Sequence, residues 1–348
     1  MLEELRNATG SLIERLPQSY HPGTDSGAPP LDPLSDVLRA VRLNGAYFYY
    51  VEAGGPWSVF AAAARDLVPR VLPEAEHLIS YHILLSGTCW GGLEGDQVKM
   101  EAGDVIVFPQ GDSHLMSSDE GYLDGSGKKV EPSDRFPNTV QIGPEKLARD
   151  TNLVCGFLGC DARPFNPLLA SLPQRIHIKG LALGWLSQFP RQVVAESRAG
   201  RVGSDTMLTR MAELMFIEVI RRYFEQLPPQ QAGWLAGLRD TVVGPALSHL
   251  HRQPTHPWTL AELARTIASS RSVLVERFSQ LVGVPPMLYL TRWRLQLAAE
   301  QLARGSSKVA AVGAQVGYES EAAFSRAFKR ETGLSPAAWR RARQFATE

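Results

Sequence analysis

GYESEAAFSRAFKRETGLSPAAWRR occupies residues 317–341 of the chain. Gly317 permits a tight turn, Ser320 can cap a helix, and Phe324 and Phe328 keep an inward stripe until Gly333, Ser335 and Pro336 end the run. Just upstream, Val309, Val312 and Val316 place a shorter apolar stripe on a preceding helix. Two short helices around a tight turn describe a helix-turn-helix. The layout recurs about 50 residues earlier, as an internal repeat should. There Thr259 can cap a helix over 260–267, with Leu260, Leu263, Ala264 and Ile267 inward. Ser270 can cap a second helix carrying Leu274, Phe278 and Leu281, and Gly283 ends it. Ala264 is small where the two helices must cross. A connecting helix over 288–302, with Arg292 and Arg294, links the units.

Charge divides the chain in the same place. Residues 236–348 hold 15 basic and 8 acidic side chains, a net +7, against 21 and 28 in residues 1–235, a net −7. The formal total of zero therefore hides a basic third, the balance expected of a nucleic-acid-binding domain joined to a separate partner domain. The 348 residues suffice for two domains and a helical linker. No apolar run approaches the ~18–20 residues that cross a bilayer. Glu3, Glu4, Arg6, Glu14 and Arg15 interrupt the first 16 residues, unlike a secretory signal. Cys89, Cys155 and Cys160 are too few for a disulfide framework. A cytoplasmic protein with no membrane partner is the expectation.

Upstream of the repeat the pattern changes twice. Residues 1–31 end in a Pro-, Gly- and Ser-rich tract and read as a flexible leader. Residues 32–43 form a short amphipathic helix through Leu34, Val37, Leu38 and Val41. Short strands rich in β-branched and aromatic residues follow at 47–51, 57–61, 77–85, 88–93, 97–100 and 105–108, then at 140–142 and 152–159 after a polar loop over 117–138. Such strands predict a barrel or sandwich. A strong helix over 208–227, stopped by Pro228 and Pro229, has an apolar face wide enough to pair two copies or to pack on its own barrel. The fold class is α+β and multidomain: a leader (1–31), a β-barrel or sandwich (32–200), a helical linker (201–235) and an all-α domain with two helix-turn-helix units (236–348).

The quoted stretch closely resembles the C-terminal signature of AraC/XylS-type transcription regulators. LTRWRLQLA (290–298) and SSRSVLVERFSQLVG (269–283) resemble the same family. The resemblance implies that the second helix of each unit enters the DNA major groove, with successive segments read on one face. The outward positions that would meet DNA are Arg271, Ser272, Val275 and Glu276, then Glu321, Ala322, Ser325 and Arg326. Arginine can pair bidentately with guanine, and glutamate can accept from cytosine. Lys329, Arg330, Arg340 and Arg341 would touch phosphate or solvate a face.

GDVIVFPQGDSH (103–114) has the spacing G-x5-P-x-G-x2-H, which resembles the second motif of cupin barrels. In metal-dependent cupins the closing histidine, here His114, is a ligand. The first motif departs from the pattern, because His77, His82 and Glu94 do not have its spacing. His77 and His82 differ by an odd number and would face opposite sides of one strand. A reduced divalent-metal site would use His82 and His114, with or without Cys155 or Cys160; otherwise the pair is hydrogen-bonded inside the barrel. The candidates for effector contact are His82, Trp90 and His114. Cys155 and Cys160, spaced C-x4-C, are either a redox pair answering an oxidant, with Arg163 near enough to activate a thiolate, or two buried small residues. The implied function is a DNA-binding transcription regulator modulated at the cupin-like domain. Its partners would be double-stranded operator DNA, a small-molecule effector or oxidant, RNA polymerase and a second copy of the chain. The alternative is a metal-dependent cupin enzyme fused to a DNA-binding module, which the missing first motif disfavours.

Overall fold

The computed structural model describes residues 32–40, 43–120, 138–144, 147–161, 164–181, 185–228 and 231–344. The leader, residues 121–137 of the polar loop and Arg163 lie outside them.

Strands β3 (His77–Ser86) and β9 (Thr151–Cys160) are apolar along almost their whole length, and both faces of each are buried. Continuous apolar runs of this kind belong at the centre of a covered sheet. They pair antiparallel at the middle of a six-stranded sheet ordered β10-β6-β3-β9-β1-β8. Its other members are β1 (Leu43–Ala53), β6 (Val105–Phe108), β8 (Asn138–Ile142) and β10 (Ile176–Ile178). A second sheet, ordered β2-β7-β4-β5, joins β2 (Ser58–Ala61), β4 (Thr88–Leu93), β5 (Asp96–Glu101) and β7 (His114–Ser117). The side chains between the two sheets form one core, with Leu84, Cys89, Met100, Ile106, Phe108, Met116 and Leu153 all within it. This is the predicted barrel or sandwich. The strands β7 and β10 and the helix Ala64–Val71 are additions to the sequence reading.

Helix α1 (Pro33–Ala40) joins the core on the outer face of the large sheet, α2 (Ala64–Val71) joins the core between the sheets, and α3 (Pro167–Ser171) and α4 (Phe189–Ala199) join the outer one. The strong helix α5 (Ser204–Gln226) buries Leu208, Ala212, Met215, Phe216, Val219 and Ile220, and it packs on β1, β9 and β10. Of the two readings of its wide apolar face, packing on its own barrel accounts for these six residues. Met207 and Leu214 lie on the other side and are about half exposed.

The C-terminal domain follows with α6 (Trp234–Arg239), α7 (Val243–Arg252), α8 (Leu260–Thr266), α9 (Arg271–Val282), α10 (Pro286–Arg304), α11 (Val309–Gln315), α12 (Glu321–Thr332) and α13 (Pro336–Gln344). Both predicted helix-turn-helix units are present, α8–α9 and α11–α12. The expected caps are made: Thr259 accepts from the Glu262 N–H at 3.1 Å, Ser270 from Val273 and Ser320 from Ala323 at 3.2 Å each. Each such cap stabilises by about 1 kcal/mol. The helix crossing needs a small residue in both units. Ala264 is buried, and a Cβ on Gly313 would stand 3.0 Å from the Phe324 ring.

The turns differ in an informative way. In the second unit Gly317 adopts φ +87°, but the equivalent residue of the first is Ala268 at φ +51°. A left-handed alanine is strained by roughly 1 kcal/mol. Ala268→Gly should therefore stabilise the domain by about 0.5–1 kcal/mol in denaturant unfolding, despite the extra freedom of the unfolded chain. A loss of stability would show that the turn is not strained.

The 235/236 boundary drawn from charge is not a boundary in the core. One cluster runs from the outer sheet face (Ile79, Tyr81, Ile83, Leu158) through α5 and α7 to Leu263, Leu274, Phe278, Tyr289 and Trp293. The second unit has a separate cluster around Leu302, Val312, Phe324, Phe328 and Trp339. The first helix-turn-helix is thus built into the barrel's outer core, and the second is carried by α10 and α13.

Candidate functional site

Between the sheets lies a cavity of about 480 Å³, counting the open space at its mouth. Its walls are Tyr49, Val51, Trp57, Val59, Ala61, Ala62, Leu67, His82, Met116, Ile142, Leu153, Cys155 and Phe157. None carries a formal charge except His82 when protonated. Alternation along the strands puts them there: Leu153, Cys155 and Phe157 face inward from β9, while Val154 and Leu158 face the helices.

The cupin-like motif places His114. Gly111 turns the chain at φ +69°, where a side chain would collide with Ala64 and the Leu78 carbonyl. The chain then enters β7 with His114 stacked on Phe108, ring centroids 3.7 Å apart. His114 Nε2 meets His82 Nε2 at 2.7 Å, and both residues are buried. His77 faces the other way, with its Nε2 2.7 Å from the Pro109 carbonyl. Burial pushes His82 well below the ordinary imidazole range, helped by His114, and takes His114 down to about 4. Both rings are neutral near pH 7, and their protons can be placed. The Asp112 carbonyl, 2.9 Å from His114 Nδ1, can only accept, so Nδ1 carries the proton of His114. His114 Nε2 must then accept from His82 Nε2–H. That leaves His82 Nδ1 as a bare acceptor, and it is buried without a partner.

This geometry does not fit the divalent metal that a cupin implies. The two Nε2 atoms are 2.7 Å apart and engage each other in a hydrogen bond, so neither offers a free lone pair to a shared ion. Among the described residues no three His, Cys, Asp or Glu side chains gather as a ligand group. The hydrogen-bonded pair is the reading that fits.

Two other expectations need correction. Trp90 does not reach the cavity. On β4 the neighbouring Cys89 is in the inner core and Gly91 abuts Met100 and Met116, so Trp90 lies on the outer face. Trp57, Tyr49 and Phe157 are the aromatic walls instead. Cys155 and Cys160 are not a redox pair either. Five residues apart on β9, they point to opposite faces, Cys155 into the barrel and Cys160 toward the helices. Burial pushes both thiols far up, away from the reactive thiolate.

A pH effect follows from the buried imidazoles, including His251, which burial lowers to about 3. Each binds protons more weakly folded than unfolded. The folded state therefore keeps its full stability above the unfolded value near 6.5 and loses it as pH falls toward 4. His114 alone should cost on the order of 3 kcal/mol by pH 4. Melting curves from pH 7 to 4 should show this, and His114→Phe should flatten the slope. An equal slope in that variant would contradict the neutral assignment.

In the C-terminal domain Arg271, Ser272 and Glu276 are exposed on α9, and Val275 is half-buried. On α12 Glu321, Ala322 and Arg326 are exposed, and Ser325 is half-buried. Among the described residues Arg271, Glu276, Glu321 and Arg326 join no ion pair, which leaves them available to a partner. Other basic residues are occupied. Arg277 pairs with Asp240, Arg292 with Glu331 at 3.0 Å, and Arg294 donates to the carbonyls of Pro254 and His256. Arg340 donates to the Ser307 carbonyl, while Lys329, Arg330 and Arg341 stay exposed.

Sequence reading did not single out Gln296. On α10, 3% exposed, it donates from Nε2 to the Ala40 carbonyl at 3.1 Å and accepts from the Phe165 N–H at 3.0 Å. A lone glutamine on the buried face of an Ala- and Leu-rich helix was the available signal.

The comparisons agree with this arrangement. A cupin family profile matches residues 32–225, and a helix-turn-helix domain profile matches residues 263–342. The cupin match thus includes α5. An AraC-like transcription regulator of Streptomyces antibioticus is 34% identical over 322 residues, covering 89% of this chain and 99% of its own. The transcriptional regulator AlkR of Acinetobacter baylyi is 28% identical over 89% of this chain and 99% of its own. The activator RclR of Escherichia coli, described as specific for RCS, is 27% identical over 91% of this chain and 100% of its own. The chain belongs to the AraC family of DNA-binding transcription regulators, with a cupin domain ahead of its helix-turn-helix units.

Proposed function

We propose that the cupin domain is the sensor of this regulator, and that a small molecule held between its sheets changes how the two helix-turn-helix units sit on operator DNA. The continuous core joining the outer sheet face to the first unit carries this reading. An occupant pressing on β1 or β9 from inside acts on strands whose opposite face belongs to the same core as α9 and α10. Binding shifts the balance of arrangements only as far as the occupant prefers one over the other. On the DNA side, the outward residues of α9 and α12 read bases, and Lys329, Arg330 and Arg341 meet phosphates. Val275 offers only methyl contact, so the second unit supplies more of the discrimination. Contact with RNA polymerase, and pairing of two copies through the face of α5 that carries Met207 and Leu214, belong to the same reading, as does action in the cytoplasm, where the DNA is.

The test is binding of the purified chain to DNA from its own upstream region, as a salt series with nonspecific competitor. Expected is a specific complex whose affinity falls steeply with salt, since each phosphate contact adds about −0.9 to the log–log slope. A salt-independent complex, or none on either upstream or genome-selected DNA, would overturn the reading.

A further inference from the structure

We infer that the barrel cavity takes a compact, uncharged apolar molecule bearing one hydroxyl or N–H group, a phenol or a small alcohol, whose proton is donated to His82 Nδ1. The inference rests on the cavity being the sensor site. It starts from the unpartnered acceptor. His82 lines the cavity, while His114, which holds the His82 Nε2 edge, does not. The free edge of the ring, with Nδ1, has no hydrogen-bond partner and is buried. A buried acceptor left unmade is costly, and a donor arriving with the ligand recovers that cost. The acceptor character is locked from outside: the Asp112 carbonyl fixes the proton on His114 Nδ1, and His114 Nε2 then fixes the proton on His82 Nε2.

The remaining walls limit what else can enter. Among the described residues no Lys, Arg, Asp or Glu lines the cavity, so neither a carboxylate nor an ammonium ion would find a counter-charge there. The neutrality of both histidines at pH 7 removes the last cation. Trp57, Tyr49 and Phe157 supply aromatic faces for a ring, and Val59, Met116 and Leu153 supply its apolar surround. The enclosed part of the space is small, which limits the occupant to a compact molecule.

Four probes of one shape separate the alternatives: p-cresol, p-xylene, 4-methylanisole and 4-methylbenzoate, titrated into the full-length protein at pH 7.5 by calorimetry. p-Cresol should bind about 10-fold tighter than p-xylene, which has a methyl in place of the hydroxyl, and than 4-methylanisole, which can only accept. 4-Methylbenzoate should bind least. H82L should bring p-cresol down to the level of p-xylene, while H82Q, which keeps an acceptor, should retain part of the preference. Equal binding of p-cresol and p-xylene, preference for 4-methylbenzoate, or no binding by any of the four would overturn the inference, and these comparisons need no variant to fold. Operator affinity is measured separately with and without p-cresol. If p-cresol binds as expected and operator affinity does not move, the ligand class stands and the sensor reading fails.

Discussion

Arg326→Ala lowers the affinity for specific operator DNA by about 1–3 kcal/mol, roughly 5- to 150-fold, and relaxes the sequence requirement at one base pair. The residue stands exposed on α12, joins no ion pair among the described residues, and lies one turn beyond Ala322 on the outward face. The helix that carries it is fixed by the Ser320 cap and by Phe324 and Phe328 in the second core, so the side chain is presented from a rigid base. Lys329→Ala is the contrast. If it meets phosphate, it should weaken all DNA alike and reduce the salt slope by about 1. Competition binding against operators changed at each base separates the two. Uniform weakening by Arg326→Ala would move that arginine to the phosphates, and unchanged affinity would remove it from the interface.

Gln296→Leu should cost about 2–4 kcal/mol of stability. It leaves the Phe165 N–H and the Ala40 carbonyl without their partner, and each such buried loss is worth about 1–3 kcal/mol. One amide here ties α10 to two separate segments of the cupin domain. Arg343 ties α13 to the same domain through Glu76 and Asp161. Denaturant unfolding would measure the loss, and a cost below about 0.5 kcal/mol would show that water takes the place of the amide. In the well-folded fraction, the variant should also weaken the effect of cavity binding on DNA affinity, because the connection it removes lies between the two sites.

The helix-turn-helix units were legible because their signals are local: Thr259, Ser270 and Ser320 cap, and leucine and phenylalanine recur within one helix. The barrel was legible as a class from its short strands, and β3 and β9 from their unbroken apolar runs. Trp90 was misplaced because an aromatic in a strand reads as inward until its neighbours are known. Cys89 and Gly91 settle its side, and only the pairing with β5 and β7 shows that they are inner. The C-x4-C spacing of Cys155 and Cys160 misled in a simpler way, since an odd separation on one strand already sends the two thiols apart. The His82–His114 pair could be suspected from the motif, but its proton arrangement depends on the Asp112 carbonyl and so required the fold. Gln296 joins residues 131 and 256 positions away in sequence, and no local pattern records that.

The central claim is that both units read DNA, one through α9 and the other through α12. Hydroxyl-radical footprinting with guanine methylation interference on the upstream operator tests it most directly. The account predicts two protected segments on one face of the duplex, about one helical turn (~10.5 bp) apart, with Arg326→Ala erasing interference in only one of them. A single protected segment, or two that Arg326→Ala affects equally, would contradict it.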